Sequence, residues 1–274
     1  MKTSTSRTIA ICSLSLIMGT ASAQTGFEIG VRSELQESML INRSDINSGI
    51  NCVNTMSLLA GGLAASFNFS KNLGVELDLL YSRQGQNYKG TNMQPTKDKG
   101  YNNEVYLQAK LNDAVTTGSY KAKAELNCIK VPLLFRLTSN NSRKIFSTVS
   151  AGPQLNILHS AVYEVNKKDV GLTGLSITPG DAYRKTTVDG VVAVGVGVNI
   201  SSQFVLSGQI RVDYGFQNVE KRDITYNYGG VEQTKYYSEG RSGTNNATAG
   251  IMVGLNYKLH CDKHSKPAEK ATTK

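Results

Sequence analysis

Charged side chains recur at even spacings within otherwise apolar stretches of this chain: Glu28, Arg32 and Glu34; Glu76 and Asp78; Arg136; Asp189; Arg211 and Asp213. Acids and bases so placed can move protons, or they can neutralise one another in a buried network; their surroundings decide which. Hydrolysis needs a nucleophile with a base in reach, most often histidine. The three histidines are His159, His260 and His264. Ser160 follows His159 directly and points to the opposite face of an extended chain, and the next residue on the histidine's own face is Ala161. His159 therefore reads as a solvated rim residue, and no residue is assigned a catalytic role. Gly195 and Gly197 suggest a phosphate loop only superficially, because no helix follows them. Tyr226, Tyr228, Tyr236 and Tyr237 lie among glycine, asparagine and charges, where they suit surface contacts with a sugar or protein, or cross-strand pairing in an extended hairpin.

Cysteine chemistry is equally sparse. Beyond residue 23 the cysteines are Cys52, Cys128 and Cys261, odd in number and without a CxxC spacing, so neither a metal nor a cofactor is expected. A disulfide between Cys52 and Cys128 is compatible with export to an oxidising compartment. Export is the reading of residues 1–23: Lys2 and Arg7, an apolar run from Ile9 to Met18, and Ala21-Ser22-Ala23 before Gln24 form a cleavable signal. Removing that segment takes the formal charge from +9 to +7. The surplus is spread along the chain, so no nucleic-acid partner is expected.

The elements that must position the charges alternate with a period of two. Val188, Gly190, Val192, Val194, Val196, Val198 and Ile200 share one face, with Asp189, Val191, Ala193, Gly195, Gly197 and Asn199 opposite. After Ser201-Ser202-Gln203 the pattern resumes, with Phe204, Leu206, Ile210, Val212, Tyr214 and Phe216 against Arg211 and Asp213. Similar strands begin at Gly26, about Leu58 and Leu73, and others cover NCIKVPLLFRL, IFSTVSAGPQLNIL and ATAGIMVGLNYKL. Pro132 lacks a ladder donor and implies a bulge or a local break in pairing. Polar stretches at 36–55, 86–119, 160–186 and 217–245 read as long loops, with EVYLQAKL inside the second as a short strand or helix. The intervening connections are tight turns. Residues 262–274 are a charged tail without core-forming residues and read as disordered.

Long and short connections therefore alternate along eight strands. The fold class expected is all-β: an eight-stranded antiparallel up-and-down transmembrane β-barrel over residues 24–261, with short periplasmic turns and long surface loops. In lipid, closure satisfies backbone groups that an open edge would leave bare. Three features turn the apolar face outward. The other face carries charges that can pair across a narrow lumen, and it is rich in small residues. Aromatics also gather at both strand ends: Phe27, Phe69, Phe135, Phe204 and Tyr257 by the short turns, and Tyr81, Tyr214 and Phe216 by the long loops.

Five segments, LDLLYSRQG (77–85), IKVPLLFRL (129–137), SAGPQL (150–155), DGVVAVGVGV (189–198) and RVDYGFQNV (211–219), resemble the PorT-like outer-membrane β-barrel family of Bacteroidota. The resemblance implies an eight-stranded barrel in the outer membrane of a Gram-negative bacterium. The family's namesake is linked to type IX secretion and gliding, and most members have no assigned activity. One difference is the end of the last strand: Leu259-His260 stands where such barrels often close on an aromatic residue read by the assembly machinery.

An eight-stranded barrel is just wide enough for side chains to fill. The expected role is structural or interactive and non-enzymatic, as an accessory to secretion or cell-surface functions. Partners are then outer-membrane lipid, the barrel-assembly machinery during insertion, and a protein at the loops or periplasmic turns. Alternatives left open are a porin-like channel for small solutes, an outer-membrane lipid-modifying hydrolase, and a soluble lipocalin-like binder with its apolar face inward.

Overall fold

The computed structural model describes residues 26–43, 51–91, 119–165, 168–169, 183–221, 223–228, 231–236 and 242–259. Its strands are β1 (Gly26–Ile41), β2 (Asn51–Asn68), β3 (Leu73–Thr91), β4 (Ser119–Thr138), β5 (Ile145–Val165), β6 (Lys168–Asp169), β7 (Thr186–Asn199), β8 (Phe204–Gly215), β9 (Asp223–Tyr228), β10 (Val231–Tyr236) and β11 (Asn245–Leu259). Eight of them close a ring of antiparallel pairs in the order β1-β2-β3-β4-β5-β7-β8-β11, with β11 returning to β1. β6 is a short return strand on β5, and β9 pairs only with β10.

The register sets the dimensions of the ring. Following hydrogen-bonded partners from Gly26 through Asn68, Gly74, Arg136, Ser150, Ala193, Arg211 and Gly250 leads back to Gln36, a displacement of ten residues along β1. With strands about 4.8 Å apart and about 3.3 Å per residue, that stagger gives a tilt of about 41° and a backbone radius of about 8 Å. Side chains from opposite walls therefore meet near the axis.

The alternation resolves with the apolar face outward. On β7, Val188, Val192, Val194 and Val196 are exposed, as is Ile200 just beyond it, while Asp189, Val191 and Ala193 are buried. At the tilt above, the twelve steps from Val188 to Ile200 climb about 30 Å, the thickness of a bilayer's hydrocarbon core. Edge-on aromatic pairs mark the strand ends: Phe67–Phe69 and Phe204–Tyr257 by the short turns, Tyr214–Phe216 by the long connections. Phe135 is 65 % exposed.

Several strands run further than the alternation suggests. β1 continues to Ile41 and β2 begins at Asn51, within the expected loop 36–55. β3 extends to Thr91, and β5 to Val165. The segment EVYLQAKL, the signal and the tail lie outside the described residues. Of the two alternatives at Pro132, the structure shows the local break and no bulge: β3–β4 pairing skips Asp78 and Leu79 opposite Val131 and Pro132, with the register unchanged on either side. The Cys52–Cys128 disulfide does not form. Cys128 is free and buried opposite Ser82, whereas Cys52 pairs with Tyr88, six residues further along β3. That offset is about 20 Å along the strand, far beyond disulfide reach.

One seam departs from regular pairing. Between Asn54 and Gly61, β2 offers six residues opposite four of β3, and no rung joins them. The freed β3 groups are taken by β1 side chains. Ser38 Oγ accepts from Gly85 N–H at 2.7 Å and donates to Gly85 C=O at 3.1 Å, and Gln36 Nε2 donates to Arg83 C=O at 2.7 Å. Gly85 has φ of 153°, outside the range that side-chain-bearing residues adopt readily. Polar side chains thus replace the missing β2–β3 rungs in a wall that has little water to hydrogen-bond with.

Candidate functional site

The strongest concentration of polar chemistry is the lumen itself. All nine charged residues singled out above, Glu28, Arg32, Glu34, Glu76, Asp78, Arg136, Asp189, Arg211 and Asp213, are buried on the inner face. The period-two twist of each strand delivers them there, since every one sits between two outward residues.

They form two layers. Near the short turns, Glu76 stands between two guanidinium groups, 3.2 Å from Arg32 and 3.3 Å from Arg136. Arg136 also reaches Glu28 at 3.4 Å and donates to Asn68 Oδ1 at 2.6 Å. Glu28 accepts from Asn68 at 3.0 Å, Asn256 at 3.2 Å and Ser66 at 3.3 Å, and Arg32 donates to Asn256. Five strands contribute to this layer, so it bolts opposite walls together.

The second layer sits about midway along the barrel. Arg211 Nε donates to Asp213 at 2.8 Å, Arg211 Nη1 lies 3.6 Å from Asp78, and Arg211 Nη2 donates to Gln154. Asp213 also receives Lys130 Nζ at 2.7 Å and the Thr248 hydroxyl at 3.0 Å, while Lys130 reaches Gln36 at 3.3 Å. The side chains of Lys130, Arg211, Asp78 and Asp213 have no solvent exposure. Leu80, Leu134, Val191 and Met252 fill the inner face among the charged groups and are themselves buried. Above, Gln36 donates to Ser82 at 2.6 Å and Asn246 to Gln84 at 2.9 Å.

Lys130 is the member missing from the sequence-derived network, although the alternation already placed it inward. Its partner on β8 is 83 residues away in the chain, and no local spacing announces that contact. The neutral members Gln36, Asn68, Gln154, Thr248 and Asn256 were also missed; only the same inward parity could have found them. Glu34 and Asp189 make no ion pair among the described residues; Asp189 accepts a 3.4 Å hydrogen bond from Gln154.

The remaining candidates are placed as follows. His159 is exposed on β5, beside the register shift opposite Asn127 and Cys128, and Ser160 accepts from Asn127 Nδ2 at 3.0 Å. His260, His264 and Tyr237 lie outside the described residues. Tyr226, Tyr228 and Tyr236 do fall on a hairpin, but their register partners are Gln233, Val231 and Asp223, so no two of these tyrosines face each other across it. Among the described residues, no three His, Cys, Asp or Glu side chains gather as a metal site would require. Gly195 and Gly197 lie within β7.

The ring resembles solved outer-membrane proteins. Similarity extends to OprG from Pseudomonas aeruginosa (13 % identity, 86 % of this chain and 96 % of that one, TM-score 0.44). A major outer membrane protein of Thermus thermophilus gives 12 % identity over 86 % and 100 % of the two chains, with a TM-score of 0.47. Neisserial surface protein A gives 10 % identity over 85 % and 97 %, with a TM-score of 0.41. No curated protein matches this chain in sequence. The family model described as outer membrane protein beta-barrel domain matches residues 21–221, most of the strand-bearing chain, and this protein belongs to that family of outer-membrane β-barrels.

Proposed function

We propose that this protein is a non-conducting outer-membrane barrel whose work is done by contact rather than by transport or catalysis. Partners meet its surface connections or its periplasmic turns. The observation that carries this reading is the fully buried Arg211–Asp213–Lys130 group, which together with Asp78 and Gln154 fills the mid-lumen. A backbone radius of about 8 Å and a core packed by ion pairs support a lumen closed to solutes. The five segments that resemble the PorT-like family of Bacteroidota support a role as an accessory to secretion or cell-surface function. The basic start and Ala21-Ser22-Ala23 support export through a cleaved signal into a Gram-negative envelope.

The test is planar-bilayer recording of the purified, refolded protein. No stepwise conductance in monovalent salt is expected. Reproducible ohmic steps would overturn the proposal in favour of a small-solute channel.

A further inference from the structure

Among the described residues, the exposed charges of the short turns are of one sign. The three turns, residues 69–72, 139–144 and 200–203, contain Lys71, Arg143 and Lys144 and no aspartate or glutamate, and Lys258 lies beside them near the end of β11. At the opposite end the charges are mixed: Glu125, for example, pairs with Lys123 and lies 3.6 Å from Arg83. The asymmetry belongs to one end, not to the whole surface.

The backbone under these cations is tied into a single platform. Asn141 N–H donates to Lys71 C=O at 3.1 Å, and Thr138 Oγ1 donates to the same carbonyl at 2.9 Å. Asn72 Nδ2 donates to the carbonyls of Thr138 at 2.8 Å and Ser139 at 2.7 Å. Asn199 N–H donates to Lys144 C=O at 2.8 Å, and Asn199 Nδ2 to Asn141 C=O at 2.9 Å. Lys258 is held in turn, by its N–H on Gln203 C=O and its Nζ on Asn199 Oδ1, each at 2.7 Å. Lys71, Arg143 and Lys144 are exposed, and no ion pair holds any of them among the described residues.

Their neighbours identify the surroundings. Lys71 stands between the outward Phe69 and Leu73, and Lys144 immediately precedes Ile145, which is 63 % exposed. A long cationic side chain at the edge of an apolar belt keeps its stem on the hydrocarbon and its head at the level of lipid phosphates. We propose that Lys71, Arg143 and Lys144 form a binding surface for the phosphates of anionic phospholipids in the leaflet next to the short turns. A cation close to a negatively charged leaflet gains attraction that decays within a Debye length of its surface. A platform held by the turns' own hydrogen bonds keeps the backbone under the three cations in place, so only their side chains lose freedom at binding.

The experiment uses the mature chain refolded into phosphatidylcholine bilayers, with spin-labelled phosphatidylglycerol or phosphatidylcholine as probe. Electron spin resonance reads the relative association of the two lipids with the barrel. The expected preference for phosphatidylglycerol is about two- to threefold in low salt and declines at high salt. Lys71→Gln/Arg143→Gln/Lys144→Gln should bring it close to parity, while Arg83→Gln/Lys123→Gln at the other end should leave it in place. If the triple variant does not refold, Lys71→Gln and Arg143→Gln alone should each lower the preference part of the way, and Lys71→Arg should keep it. An unchanged preference in the glutamine variants overturns the proposal and assigns the cations to an acidic protein partner instead.

Discussion

Arg211 is the residue whose removal says most about the lumen. Its guanidinium holds Asp213 at 2.8 Å, lies 3.6 Å from Asp78 and donates to Gln154, all without solvent exposure. Arg211→Ala leaves Asp213 with Lys130 at 2.7 Å and Thr248 at 3.0 Å, so that carboxylate stays partnered. Asp78 is different, because Arg211 is the only cation paired with it among the described residues. Breaking a buried pair from one side costs about 3–5 kcal/mol, most of it from the charge left behind. The remaining partners of Asp213 place the expected loss near the lower end, at about 3 kcal/mol. At about 2 kcal/mol per molar urea, the unfolding midpoint should fall by about 1.5 M. The sequence contains no tryptophan, so unfolding of the vesicle-inserted protein is best followed by far-UV circular dichroism with gel mobility as a second probe. Arg211→Ala/Asp78→Ala should recover part of the loss, giving a coupling of about 1.5 kcal/mol or more between the two positions. A midpoint shift below about 0.3 M, with strictly additive single and double variants, would refute a dry, paired lumen. It would point instead to a hydrated interior in which each charge is solvated on its own.

Other perturbations probe other parts of the structure. Glu76→Gln removes the carboxylate shared by Arg32 and Arg136, and should cost about 2–4 kcal/mol in the same urea assay while leaving membrane insertion intact. Val194→Arg places a charge on the outward face of β7, and should cost about 2–4 kcal/mol in vesicles; a neutral result would mean that this face meets water. Ser38→Ala strips Gly85 N–H and C=O of their side-chain partner, and should lower stability by about 1–3 kcal/mol with faster hydrogen exchange at the Gly85 amide. Gly85→Ala should be destabilising by about 1–3 kcal/mol because its backbone conformation disfavours a Cβ, and unchanged unfolding would show that the seam relaxes freely.

The barrel was legible because its two solvents differ. Where lipid lies outside and packed polar groups lie inside, residues such as Val192, Val194 and Val196 must alternate with Val191, Ala193 and Gly195, and the pattern is written into the chain. Where strands rise beyond the apolar belt, that contrast fades. Gln86, Asn87, Tyr88 and Lys89 continue β3 without an apolar outward row, so they read as loop. The tyrosine hairpin shows the same limit: an extended pair was foreseeable from composition, but the register that sets Tyr226 opposite Gln233 was not. Within the lumen, inward parity identified the nine charged residues as a set able to pair, but not Lys130 or the neutral partners such as Gln154 and Asn68. Lys130 meets Asp213 across the barrel only because the ten-residue stagger brings β4 and β8 to the same height. That stagger is a property of the closed ring as a whole and leaves no clear mark in residue type.

The most direct measurement is gel mobility of this chain taken from isolated outer membranes, with and without boiling. A closed ring of eight strands facing lipid stays folded in cold detergent and migrates differently once heated, and that shift is the predicted result. Identical mobility, with the protein recovered from the soluble periplasm, would contradict the account.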